Sequence, residues 1–189
     1  MAALETEINE NLYQKMNFIE TYALAQVLMD KREYNNFSSI KDEDGFLHYA
    51  SFFREDDNRI FEYAMRVKRL KDYAEKKGTR VLFAVAPSKY IPGVTRLRKG
   101  LPPNDPNPTV DELLFYLNRL GVEVLDYRET IPNQKVDYQA SFFRTDHHWT
   151  IPAAFDAAVQ LVEKIRDAFG EDLDPEHYYT CLLYTSRCV

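Results

Sequence analysis

Two short apolar runs, "TRVLFAVAPSKY" (79–90) and "VEVLDYR" (122–128), flank an amphipathic stretch, and that spacing leaves few folds open. The first run is continuously apolar at "VLFAVA", which predicts a strand buried on both faces, as in a parallel sheet. Parallel neighbours cannot be joined by a tight turn, so the chain between them must cross over. "LPPNDPNPTVDELLFYLNRLG" (101–121) reads as that crossover. It has a Pro-rich loop, a helix with Thr109 and Glu112 spaced as a capping box, and Gly121 as its stop. Strand, helix and strand together predict a right-handed βαβ unit.

The flanking sequence continues the alternation. Residues 1–35 read as a helix with Leu12, Met16, Ile19, Ala23 and Val27 on one face. "KDEDGFLHYASFF" (41–53) carries a turn signal at Asp44-Gly45 and then aromatic-rich β sequence. A helix from about Asn58 would bury Ile60, Ala64, Val67, Leu70 and Ala74 and stop at Gly78. "DYQASFFR" (137–144) is predicted to be a third strand. Thr150, Ile151 and Pro152 then open a last helix that turns Phe155, Ala158, Leu161, Val162, Ile165 and Phe169 toward the sheet. The predicted fold is an α/β three-layer α/β/α sandwich with a mostly parallel sheet.

Composition narrows the class. The 189 residues are 45% hydrophobic and 29% charged, which suits one globular domain rather than disorder. Aromatics, at 14%, favour strands and cores first and carbohydrate-facing clefts second. A net charge of −6 excludes the basic footprint of a nucleic-acid binder, so no nucleic-acid partner is expected and "TRLRKG" (95–100) reads as a solvated loop. No apolar run approaches the roughly 20 residues that span a bilayer. "CLLYTSRCV" (181–189) breaks the pattern before it and resembles the translation of a sequencing-library adapter. It is set aside, so Cys181 and Cys188 carry no redox information and the native chain is expected to continue past Thr180.

The chemistry concentrates in "FRTDHHWT" (143–150), which holds two of the four histidines and the single tryptophan. On an extended backbone Asp146 and His148 share a side, with His147 opposite. A carboxylate beside an imidazole fixes its tautomer and stabilises the imidazolium, while the other ring nitrogen takes a proton from a serine. Surface polarity or a capping network accounts for the same residues. Metal binding needs three or four ligands. His48 and His177 are isolated in sequence, so no metal or other cofactor is expected. The acyltransferase pattern of two histidines with an aspartate four residues on fails at Pro152. Trp149 is either a motif neighbour or plain core.

"FFRTDHHWT" followed by an Ala-rich helix resembles the DHHW-type proteins, relatives of the alginate O-acetyltransferases with an SGNH-hydrolase-like domain. "GFLHY" (45–49), "FAVAPSKYIPG" (83–93) and "VEVLDYRETI" (122–131) extend the resemblance in the expected order, over about residues 37–170. It divides the chain into a helical segment (1–36), a partial SGNH-hydrolase-like domain (37–180) and the adapter-like end. It implies that Asp146 and His148 are triad members, with His147 outside the pair and Trp149 a motif neighbour. The implied activity is O-acetylation of a cell-envelope or exported polysaccharide through a serine acyl-enzyme. The alternatives are a carbohydrate esterase of the same fold and a noncatalytic polysaccharide-binding module. The resemblance also implies an extracytoplasmic protein, tethered to the membrane through a segment absent from this chain. Its partners would be the polysaccharide acceptor and a membrane-bound O-acyltransferase as acetyl donor. The family's serine follows the Asp-x-His pair in a Gly/Asp-Ser type turn, and no such turn follows His148; Ser186 lies in the adapter-like end. The fragment is therefore expected to be truncated and inactive. Ser88 and Lys89 are candidate cleft residues at a strand end. Ser88 lacks the glycines of a nucleophile elbow and reads better as a turn residue. Lys89 matches a recurring family position and either lines a cleft or solvates a loop.

Overall fold

The computed structural model describes residues 13–51, 59–130 and 138–176. The predicted succession of strand, crossover helix and parallel strand forms. Strands β4 (Leu82–Val85) and β5 (Glu123–Asp126) pair in parallel, with Leu82 opposite Glu123 and Val85 opposite Asp126. Helix α3 (Asn107–Arg119) is the crossover between them. It packs on α2 (Ile60–Glu75), and Ala64, Leu114, Leu117 and Val122 close the core between these elements. Gly121, at φ +68°, ends α3. Its N–H reaches Asn118 O, the Val122 N–H reaches Leu117 O, and the Val122 side chain joins Leu117 in the core. That is the bond pattern of a Schellman stop.

The helix start differs from the capping box. Thr109 lies inside α3, and Asp105 Oδ1 accepts from the Asn107 N–H at 3.0 Å. Asp105 stands just before the Pro106 turn, so its carboxylate meets the first free amide ahead of any reach from Thr109. Strand β4 is half-buried rather than sealed on both faces: Phe83 and Val85 pack on the helix core, and Ala84, on the other face, is exposed. In α2, Ile60 and Ala64 are buried, but Leu70 is 61% exposed. Ten residues on from Ile60, Leu70 sits about 80° around the helix and leaves the core stripe.

A second sheet is antiparallel, in the order β1 (Glu33–Tyr34), β2 (Ser39–Lys41), β3 (Leu47–Tyr49). The Asp44-Gly45 turn joins β2 to β3, and Gly45 takes the positive φ (+86°) that the turn requires. The molecule is thus mixed α/β, but its described strands form one antiparallel and one parallel sheet rather than a single mostly parallel one. The N-terminal helix is α1 (Lys15–Leu28), and its predicted core face is open: Met16, Ile19, Ala23 and Val27 are exposed. Phe18, Tyr22 and Leu24 are exposed too, so apolar residues ring the helix and define no stripe. Leu12 lies outside the described residues.

The predicted third strand is absent. Residues 138–141 form a helical turn, α5 (Tyr138–Ser141), after the one-turn α4 (Tyr127–Thr130). A lone antiparallel bridge from Phe142 to Trp149 then closes the motif loop. The helix α6 (Ile151–Phe169) begins as read, with Pro152 in its first turn, and ends at Gly170 (φ +71°). Its most buried positions are Ala153, Ala157 and Val159; the six expected core residues are half-buried. Tyr127 explains the shift. Its ring packs on Ala153 and Ala157 and its hydroxyl donates to Ala157 O at 2.9 Å, so small residues are needed there.

Candidate active site

Strand β4 ends at Val85, and the chain turns through Ala86–Tyr90 beside β3, the start of α3 and the motif loop. Together they enclose a cleft of about 530 Å³ whose walls include Tyr49, Ser88, Lys89, Asp146 and His147. In α/β sheets the carboxyl ends of parallel strands are where such crevices form.

Asp146, on the cleft wall, meets His148 beside it. Oδ1 of Asp146 lies 2.7 Å from His148 Nδ1 and also accepts the His148 N–H at 3.0 Å. The backbone here bends and is not extended, so the two side chains meet because the carboxylate folds back over its own turn. The same bend changes the expectation for His147. Instead of facing away, its Nδ1 lies 3.3 Å from Asp146 Oδ1, and its ring lies 4.1 Å from that of His148. Tyr49 completes the cluster, its hydroxyl 3.3 Å from His147 Nδ1. The His148 amide and imidazole hold the Asp146 carboxyl below its ordinary range. The pair stands open, with the His148 side chain 68% and that of Asp146 49% exposed.

The geometry assigns the proton roles. With Nδ1 bonded to an ionised carboxylate, His148 keeps its proton there, and Nε2 is the nitrogen that can accept one from a hydroxyl. Ligand atoms of Asp146, His147 and His148 lie within 4.8 Å of one another, as a cation site would need. Asp146 Oδ1 and His148 Nδ1 are committed to each other, which leaves Oδ2 and Nε2 as their open atoms.

Trp149 faces away from the cleft. It is half-buried and meets Tyr127 edge-on at 5.5 Å, so it is a packing residue that anchors the loop. Ser88 lines the cleft, and its Oγ accepts from the Tyr90 N–H at 3.2 Å, the bond of a turn-forming serine. Ser186 and His177 lie outside the described residues.

Two features exceed the sequence reading. Lys89 is buried, 6% exposed, and its Nζ donates to Phe143 O (2.6 Å), Arg144 O (2.9 Å) and Asp146 O (2.9 Å). Burial pushes its pKa down to about 8, against the upward pull of the Asp42 and Asp146 carboxylates. His48, isolated in sequence, is paired in space. Its Nε2 donates to Asp42 Oδ2 at 2.8 Å, while Asp42 Oδ1 accepts from the Asp44 and Phe46 N–H groups. Burial lowers the His48 pKa more than Asp42 raises it, so the ring is held neutral. A signal for this pair was present: Phe46 and His48 alternate after an Asp-Gly turn, which puts both on the inner face with Asp42 at the turn's other end.

Residues 40–187 match the SGNH hydrolase-like domain of the acetyltransferase AlgX. The chain belongs to that family. The match runs into the stretch that the sequence analysis set aside at 181–189. No curated protein matches the chain. In structure it is similar to PatB1 of Bacillus cereus, with a TM-score of 0.52 and 18% identity over 69% of this chain and 43% of that one. PatB1 with a sulfonyl adduct gives 0.44 and 19%, over 70% and 43%. At such identity the likeness shows the fold, and the chain spans less than half the length of the PatB1 chains.

Proposed function

We propose that this domain transfers acetyl groups to hydroxyls of a cell-envelope or exported polysaccharide through a serine acyl-enzyme. The observation that carries the reading is the 2.7 Å contact between Asp146 and His148 at the mouth of the cleft, within an AlgX-type domain. His148 Nε2 takes the serine proton as the serine oxygen attacks the acetyl carbonyl; the tetrahedral intermediate then collapses and the donor oxygen leaves with that proton. In the second half an acceptor hydroxyl gives its proton to Nε2, attacks the acyl-enzyme, and the serine oxygen is released and reprotonated. Asp146 stabilises the imidazolium in both halves.

The attacking serine lies, in this reading, outside the described residues, as the family resemblance implies, while Ser88 Oγ accepts a bond within its own turn. The protein would work outside the cytoplasm, tethered to the membrane, with a membrane-bound O-acyltransferase handing over acetyl groups. No described helix is long and apolar enough to cross a membrane.

The test is aryl acetate turnover by the full-length gene product before and after His148→Ala, with a loss of at least about a thousandfold in kcat/KM expected. Unchanged turnover would remove His148 from the chemistry. Acetyl release to water with none on added polysaccharide would make the protein an esterase.

A further inference from the structure

We infer that Lys89 is the positioning residue of the Asp146–His148 pair: its buried ammonium gathers the carbonyls of Phe143, Arg144 and Asp146 onto one point and so fixes the turn that folds Asp146 against His148. The inference rests on the acyl-transfer reading only for its consequence in catalysis; the staple itself is geometric.

Residues 143–148 are exposed, so water could satisfy these carbonyls without any lysine. Burying an ammonium to do it costs desolvation that a solvated loop would avoid. What water cannot do is bring three carbonyls to one atom. The bond to Asp146 O ties Nζ to the backbone of the residue whose carboxylate orients the imidazole. Below the ammonium lies Phe46, with its ring centroid 5.2 Å from Nζ; the Arg144 guanidinium also meets this ring, at 5.4 Å. Arg144 O further accepts the Leu47 N–H at 2.8 Å, which joins the loop to β3 at the same place. Charged and titratable groups face Lys89 from two sides: Asp42 and His48 from the β2–β3 hairpin, Asp146 and Arg144 from the loop.

The test reads amide hydrogen exchange in the 189-residue chain at Phe143 and His148, whose N–H groups bond His148 O and Asp146 Oδ1. Lys89→Met is expected to speed exchange at both by about tenfold or more relative to core amides, while Lys89→Arg, which keeps charge and donors, stays within about threefold. Equal protection in Lys89→Met and the unchanged protein would overturn the inference. Should Lys89→Met fail to fold, the pH dependence decides. Above about pH 8 the neutral amine has too few N–H groups for three carbonyls, so the unchanged protein should lose protection beyond the ordinary base-catalysed rise, and Lys89→Arg should not. No excess loss overturns the inference. In the full-length protein, Lys89→Met should lower kcat on an aryl acetate more than it raises KM, with partial rescue by arginine. Lost protection in a protein with no His148-dependent turnover leaves the staple standing and removes the acyl-transfer reading.

Discussion

Nε2 of His48 stands 2.8 Å from Oδ2 of Asp42, and both side chains are closed off from solvent. This pair and the Asp146–His148 pair are thus of nearly equal length in opposite surroundings. The sealed pair keeps a neutral ring and braces the hairpin beneath Lys89. The open pair, at the cleft, is free to exchange protons.

The sealed pair gives stability a defined pH dependence. Burial lowers the folded-state pKa of His48, so below about pH 6.5 the unfolded chain takes up a proton that the native ring does not. Stability is thus full above that point and falls as the pH drops through the window down to the native pKa. Urea unfolding between pH 7.5 and 5 should show the decline, and His48→Gln should flatten it. A slope identical in both proteins would contradict a neutral buried ring.

Asp146→Asn separates charge from shape. The amide oxygen can still accept the His148 N–H and keep the turn, but it no longer stabilises an imidazolium and can select the wrong tautomer. In the full-length protein, kcat should fall about a thousandfold with the melting temperature within about 2 °C of the parent. A large fall in melting temperature would mean that the carboxylate is structural.

Leu117 and Leu70 provide a pair of controls for the core. Leu117 is 0% exposed between α2, α3 and β5, and Leu70 is 61% exposed. Leu117→Ala should cost about 2–5 kcal/mol in denaturant unfolding, and Leu70→Ala less than about 0.5. Comparable losses would place the core elsewhere.

The legible parts of the fold were those specified by local rules. The βαβ unit, the Gly121 stop and the start of α6 follow from periodicity, φ preference and proline position, each contained in a few adjacent residues. What escaped depended on distant partners. The β-type composition of "DYQASFFR" predicts a third strand, yet residues 138–141 form a helical turn and the chain beyond Phe142 bends, with its Phe143 and Arg144 carbonyls bonded to Lys89, more than fifty positions away in sequence. His48 is a nearer case: its partner Asp42 lies six positions back across the Asp44-Gly45 turn, and following the alternation of Phe46 and His48 would have found it. Asp146 and His148 were read as partners on the geometry of a strand; they are partners through a turn. The contact was legible, and its route was not.

The bridge between Phe142 and Trp149 has a consequence for how this site can change. Phe142 is buried and Trp149 leans on Tyr127, so both feet of the motif loop stand on fixed ground while its crown lies in solvent. A change of the Thr145 side chain, on the cleft wall, should therefore reshape the mouth of the cleft with the disturbance stopping at the feet. A change at either foot would spread into α6. An adjustable surface and its fixed support thereby belong to different residues of a single short segment.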